Sequence, residues 1–245
     1  MPEPSGYDGW RRSTAALIKE GWLALRGHFI TFEGGEGSGK STHARTLAQR
    51  LKSTGIEVVL TREPGGSTGA EIIRHILLSG IAKPLGAETE AILFAAARDD
   101  HVRTSILPAL DAGHWVICDR FIDSTRVYQG ILGNVDQRLI RSLERVTVGS
   151  AFPELTFIMD VPTQTGLARA KSRRGQDAAD RFEAESAEFH EKLRQAYKSL
   201  AAEEPERCVI IDGRAPRKVV AEHIWSTVRE RLNPQTIGIA EATGT

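Results

Sequence analysis

The sequence predicts an α/β fold: a doubly wound parallel sheet of about five strands with helices on both faces. Three observations carry that expectation. Short apolar runs alternate with longer helical patterns through most of the 245 residues. The strand candidates are near-continuously apolar, as strands covered on both faces must be. The first of them runs into Gly34-Gly35-Glu36-Gly37-Ser38-Gly39-Lys40-Ser41, a G-x-x-x-x-G-K-[ST] pattern lying between a strand and a helix.

Residues 1–27 differ from the rest. Residues 1–9 carry prolines and glycines and lack a pattern, and 10–25 could form a short helix with Leu17, Ile18 and Trp22 on one side. A single domain is expected over 28–232. Its strands fall at 28–33, 57–61, 114–119, 155–160 and 207–212. Each is an apolar run, such as Trp115-Val116-Ile117-Cys118 or Leu155-Thr156-Phe157-Ile158-Met159. Helices are expected between them at 40–53, 68–79, 88–111, 136–148, 163–173, 182–203 and 215–231. The tail, 233–245, reads as a mobile end.

Acidic and basic residues balance at 32 each, so no global charge draws the chain to nucleic acid or to an anionic membrane. No apolar stretch approaches the length of a membrane span. The early residues are polar, and their apolar positions are broken by Lys19 and Glu20, so no signal peptide is expected. Cys118 and Cys208 lie in apolar runs and read as buried free thiols of a reducing compartment. Zinc spacing is absent. These features describe a soluble cytoplasmic protein with small-molecule ligands and neither nucleic acid nor membrane as partner.

In such sheets ligands collect at the carboxyl ends of the strands. Those ends read Glu33, Thr61-Arg62-Glu63-Pro64-Gly65-Gly66, Asp119-Arg120, Asp160 and Asp212, so charged groups from distant elements converge on one edge. In the glycine-rich loop, backbone N–H groups turn toward phosphate oxygens, Lys40 adds a point charge, and the Ser41 hydroxyl can hold a magnesium ion. The helix that follows aims its positive end at the same anions. Asp119 or Asp160 can stand behind the metal. Arg120 favours Asp119, because a guanidinium there can clamp an acceptor phosphate; a plain Asp119–Arg120 ion pair is the alternative. Phe94 and Arg98, four apart on one helix face, suit a nucleobase, the ring stacking and the guanidinium donating to a carbonyl. Taken alone, Phe94 in the run Ile92–Ala97 reads better as core. The basic segment Arg169-Ala170-Lys171-Ser172-Arg173-Arg174, followed by Gly175, is either a solvated helix face or a lid that brings an arginine to a transferring phosphoryl group.

With these residues in hand, the chain resembles thymidylate kinases from about residue 28 to about 231. The resemblance rests on Phe32-Glu33-Gly34-Gly35-Glu36-Gly37-Ser38-Gly39-Lys40-Ser41-Thr42, on 61–66, on Leu93-Phe94-Ala95-Ala96-Ala97-Arg98, on 119–125, on Tyr128-Gln129-Gly130 and on the basic segment 169–174. It implies a P-loop NTPase-type fold, transfer of the γ-phosphoryl of ATP to dTMP giving dTDP and ADP, and magnesium as cofactor. Gly34 through Thr42 would bind the ATP phosphates, with Ser41 and Asp119 toward the metal. Glu36 would face the sugar 3′-hydroxyl. Arg74 and Arg120 would hold the acceptor phosphate, with Arg62 also on the acceptor side. Phe94 would stack on thymine and Arg98 donate to a thymine carbonyl, while Ser124, Thr125 and Gln129 line the base and sugar pocket. Tyr128 would crowd the 2′ position. The loop interior, Gly35-Glu36-Gly37-Ser38, lacks arginine and the lid (about 169–181) is basic, which resembles the bacterial design. The resemblance thus puts catalysis on Lys40, Arg120 and a lid arginine, Arg173 first, with Arg174 and Arg169 as alternatives. Members of the family usually pair as homodimers through helices. Residues 1–27 have no counterpart in the pattern. A kinase acting on another nucleotide or nucleoside is the nearer rival. A GTP-binding switch would need an Asn-Lys-x-Asp motif, which the chain lacks.

Overall fold

A computed structural model describes residues 26–175 and 181–234. The expected extension up to residue 25, the middle of the lid at 176–180 and the tail from 235 lie outside the described residues.

Five strands, β1 (Phe29–Glu33), β2 (Val58–Arg62), β3 (Trp115–Asp119), β4 (Leu155–Asp160) and β5 (Cys208–Asp212), form one sheet in the order β2-β3-β1-β4-β5. All four pairings are parallel. The order reverses direction at β1, so the phosphate loop leaves the sheet where a crevice must open. The register aligns Phe32 with Asp119, and Asp160 with Asp212, which brings the carboxyl ends to one edge.

Period-two alternation sends successive apolar side chains to opposite faces. Ile30, Phe32, Ile117, Leu155, Phe157 and Ile211 pack against α1 (Lys40–Ser53) and the last helix, α9 (Arg217–Leu232), through Leu47, Leu51, Val220, Ile224 and Val228. Phe29, Val116 and Cys118 face the other way, onto Ile106, Leu110, Phe121 and Ile122. Ile158 shares that second face with Val127 and with Leu193, Tyr197 and Leu200 of α8 (Ala187–Glu203). Both cysteines are buried and free, as expected.

Most elements fall within two residues of expectation, including α2 (Thr68–Leu78), with three departures. The helix expected at 88–111 begins earlier and is not continuous: α3 (Gly86–His101) passes through a π-helical turn (Val102–Ile106) into the short α4 (Leu107–Asp111). Pro108 has no N–H to give to the turn before it, and the widened turn accommodates the gap. A helix at 122–132 was not expected, yet α5 (Ile122–Thr125) and a second π-helical turn (Arg126–Leu132) occupy it. Its Ser, Thr, Val and Gly residues are weak helix formers. Tertiary bonds hold it: Glu33 accepts from the Phe121 and Ser124 N–H groups at 2.7 and 3.1 Å, and Arg126 grips Glu144 with two bonds of 2.7 and 2.9 Å. The helix expected from 182 starts only at Ala187, because the Ser186 hydroxyl caps it by accepting from Phe189 N–H at 3.1 Å. Residues 181–185 form a turn instead. Between these elements lie α6 (Gln137–Val148) and α7 (Thr163–Arg174). Among the described residues no helix is long and apolar enough to cross a membrane.

Candidate active site

The glycine-rich loop wraps the amino end of α1. Gly39 closes it with φ 102°, and no side chain caps α1 nor does an acidic residue occupy its first turn. The first-turn N–H groups are thus left for an anion. Gly37 (φ 64°) must be glycine for a second reason: a Cβ there would collide with the Gly166 carbonyl, where the loop rests on the first turns of α7. Lys40 is buried and its ammonium donates to the Gly35 carbonyl at 2.7 Å. Burial lowers its pKa and Arg120 adds to that, while Glu36 and Asp119 pull it back up. The Ser41 hydroxyl donates to Asp119 Oδ2 in a very short contact. Asp160, the other carboxylate considered for the metal, is taken by Arg194 in a two-pronged pair at 2.6 and 3.0 Å.

Arg120 follows β3 with φ 70°, unusual for a residue with a Cβ and a mark of a functional constraint. Its guanidinium contacts Glu36 at very short range and reaches the Gly34 carbonyl at 3.2 Å, Ser124 Oγ at 3.4 Å and Tyr197 Oη at 3.5 Å. One side chain thereby joins the phosphate loop to the helix at 122–132. Burial opposes ionisation of Glu36, but Arg120, then Lys40 and Arg173, overcome it and hold its pKa down at about 2.

These groups open onto a cavity of about 540 Å³. Glu36, Gly37, Gly39, Lys40, Ser41 and Thr42 line one part, and Asp119 and Arg120 adjoin them. Arg62, Arg74, Phe94, Arg98, Ser124, Thr125, Tyr128 and Gln129 line the remainder, together with Arg173. Of the residues proposed from sequence, Gly34, Gly35 and Ser38 do not reach the cavity; the two glycines border a small space beneath the loop, and Ser38 is buried. Phe94 is turned to the cavity rather than to the core, against the reading its sequence neighbours alone suggested. Arg62 pairs with Glu71 at 2.9 Å on an exposed rim, and Arg74 donates to the Pro64 carbonyl at 2.5 Å. Arg173 meets Glu183 at 3.1 Å and is 61% exposed. Arg169 turns away to the Gly213 carbonyl at 3.2 Å, and the Arg174 side chain lies outside what is described.

Sequence reasoning missed Glu63, Phe182 and Glu183, which also line the cavity. Phe182 packs edge-on to Tyr128 at 5.3 Å and lies 6.1 Å from Phe94. The sequence places Asp180-Arg181 just before Phe182, and that charged pair is the one local signal near it. Glu63 stands in the 61–66 motif that carries the resemblance, but nothing in the sequence gives it a role.

Beneath this site, Glu33 is fully buried and accepts from Phe121 N–H, Ser124 N–H, Ser124 Oγ and Tyr197 Oη at 2.7–3.1 Å. Burial, then the nearby Asp123 charge, raise its pKa to about 7, although the donors and Arg120 act the other way. A folded-state pKa above the unfolded value means the native form binds the extra proton. Stability from Glu33 is therefore full below about pH 4.5 and is lost as pH rises toward 7. Glu33→Gln is expected to gain on the parent between pH 5 and 8, by up to about 3 kcal/mol. Denaturation of both proteins across that range measures it, and a pH-independent difference would exclude the titration.

The sheet order, the phosphate loop at the switch point and an adjoining pocket lined by the Phe94 ring and the Arg98 and Arg120 guanidinium groups define a P-loop phosphotransferase of the nucleoside monophosphate kinase type. The comparisons with known proteins make this particular. The family model for thymidylate kinase matches residues 32–224. A curated thymidylate kinase of Nitrobacter winogradskyi is 60% identical over 206 residues, covering 84% of this chain and 90% of that protein. One of Rhodopseudomonas palustris is 60% identical over 210 residues, covering 85% and 91%. The crystal structure of thymidylate kinase from Ehrlichia chaffeensis superimposes with a TM-score of 0.66 at 33% identity, covering 83% of this chain and 99% of that one. The chain belongs to the thymidylate kinase family.

Proposed function

We propose that this protein transfers the γ-phosphoryl of ATP to dTMP, giving dTDP and ADP. The observation that carries the reading is the continuity of one cavity, with Lys40, Ser41 and Asp119 on one side, Phe94 and Arg98 on the other, and Arg120 in contact with both sides through Glu36 and Ser124.

The chemistry asks little covalent help of the protein. An acceptor phosphate is already an anionic nucleophile at neutral pH, so catalysis is alignment and charge cancellation. Lys40 and the amino end of α1 hold the donor phosphates. Arg120 and Arg74, with Arg62 at the rim, hold the acceptor phosphate. Phe94 stacks on the base, Arg98 reads a base carbonyl, and Glu36, Ser124, Thr125, Tyr128 and Gln129 shape the sugar and base pocket. Magnesium fits the donor set of Ser41 and Asp119: a hydroxyl and one carboxylate leave a hard cation to complete its shell with water and phosphate oxygens. Among the described residues no cluster of three or more metal-binding side chains offers a self-sufficient cage. When bound, the ion would neutralise charge on the transferring group.

The catalytic unit spans 28–232 with the lid at about 169–181, and the lid supplies Arg173. Arg173→Ala should lower kcat by about 10³-fold with a much smaller change in the KM for dTMP. Steady-state kinetics separate the two, and a change confined to KM would make Arg173 a binding group. The chain pairs as a homodimer through the α2–α3 face, where Ile72 and Ile92 are 64% and 49% exposed. Sedimentation equilibrium should give twice 26.8 kDa; a single-chain mass rejects pairing. Two buried free thiols suit the cytoplasm, which cell fractionation tests. The function itself is tested by following diphosphate formation from ATP with dTMP, dUMP, dCMP and dAMP, with and without a metal chelator. Turnover of dTMP that the chelator stops is expected; no dTDP under any condition overturns the reading.

A further inference from the structure

Glu63 has no assigned role, yet it is a buried carboxylate at the edge of the cavity. Its side chain is 5% exposed. Oε2 accepts from Arg98 Nε at 2.8 Å and Oε1 from His101 Nδ1 at 3.1 Å. His101 is fully buried, and its Nε2 lies 2.8 Å from Thr61 Oγ1. The His101 ring thus bridges the Glu63 carboxylate on its Nδ1 side and the Thr61 hydroxyl on its Nε2 side. The buried charge of Arg98 then has Glu63 as its counter-ion.

The five N–H groups of Arg98 can be accounted for. Nε donates to Glu63, and Nη2 donates to the Phe121 carbonyl at 3.2 Å and to Thr125 Oγ1 at 3.0 Å. Nη1 makes no hydrogen bond to any described residue, and Arg98 lines the cavity one helical turn from Phe94. The guanidinium carbon also lies over the Phe121 ring, 5.2 Å from its centroid. Glu63 therefore fixes which edge of the fork is consumed inside the protein and which pair of donors is left for a ligand. A donor-only edge accepts a carbonyl and rejects an amino group, whose hydrogens would face its own.

The geometry points to Glu63 as the positioning residue that sets the choice between a 4-carbonyl and a 4-amino pyrimidine acceptor. This rests on Arg98 reading the base. Glu63 acts through Arg98 and touches neither base nor phosphate in that account. His101 and Thr61 brace the carboxylate from behind, tying the choice to the end of β2.

The test measures kcat/KM for dTMP and for dCMP in the parent, Glu63→Gln and Arg98→Gln, with thermal melting to establish folding. Glu63→Gln keeps the shape and removes the charge. It should lower the dTMP-to-dCMP ratio by about tenfold or more, chiefly through the KM for dTMP. Glu63→Asp, which retains the charge, should recover part of the ratio. A purely structural role would lower both acceptors together and leave the ratio unmoved. If Arg98→Gln collapses the ratio while folded Glu63→Gln stays within about twofold of the parent, the assignment of Glu63 is wrong and the role of Arg98 stands. If Arg98→Gln leaves the ratio intact, the reading of Arg98 fails and takes this proposal with it. Should Glu63→Gln not fold, His101→Gln provides the same test by removing one brace. A several-fold fall supports the proposal, and a ratio within about twofold of the parent rejects it.

Discussion

Lys40→Ala is expected to lower kcat by about 10³-fold or more while the melting temperature stays within a few degrees of the parent. The ammonium is buried and donates to the Gly35 carbonyl at 2.7 Å, at the edge of the cavity. In a partly desolvated site a fixed charge is worth far more to a phosphoryl group gaining negative charge than it would be in water. Stability should move little because two effects oppose. The variant loses a hydrogen bond but also loses the cost of burying a cation, whose pKa burial already pulls down. Alanine at the first position of α1 also keeps a good helix former there. Steady-state kinetics at saturating ATP and dTMP decide the matter, and activity within tenfold of the parent would take the lysine out of the mechanism.

Arg120→Ala should cost both activity and stability. Its guanidinium binds Glu36, the Gly34 carbonyl and Ser124, so removal unties the loop from the helix at 122–132 and, on the proposed function, takes away a phosphate ligand. A fall in kcat/KM for dTMP of about 10³-fold is expected, shared between kcat and KM. Glu36, held at a pKa of about 2, loses its principal partner and remains in a partly buried place. The resulting loss of stability should be about 3 kcal/mol, toward the lower end for breaking a buried pair because both side chains keep some solvent contact. Arg120→Gly tests the backbone contribution. With φ at 70°, glycine should be about 1 kcal/mol more stable than alanine at this position. Equal stabilities would show that the left-handed conformation carries no penalty here.

Much of the site was legible because its signals are local. The phosphate loop is contiguous, and its glycines and Lys40 fall at fixed spacing. The carboxyl-end rule collected Glu33, Asp119 and Arg120 from separate strands with no contact information. Other parts were illegible because they depend on partners far along the chain. Asp119 and Asp160 end similar strands; what separates them is Arg194, 34 residues after Asp160, which occupies that carboxylate. The helix at 122–132 has poor local propensity and exists because Glu33 and Glu144 supply its anchors. Phe94 reads as core from its neighbours, and only the packing of α3 turns it to the cavity. Glu63 stood in the 61–66 motif without a role until Arg98 and His101 closed on it.

By itself the sequence determined the parallel sheet, the phosphate loop at its switch point and the kinship with thymidylate kinases. Two-sided burial, which demands continuous apolar runs, and the steric demands of a phosphate-binding turn act over a few residues, so they are written in order along the chain. The tertiary structure alone decided which carboxylate holds which cation and which arginine edge is left for a ligand. Those choices depend on distances of a few ångströms between residues tens of positions apart, and no spacing in the chain encodes them.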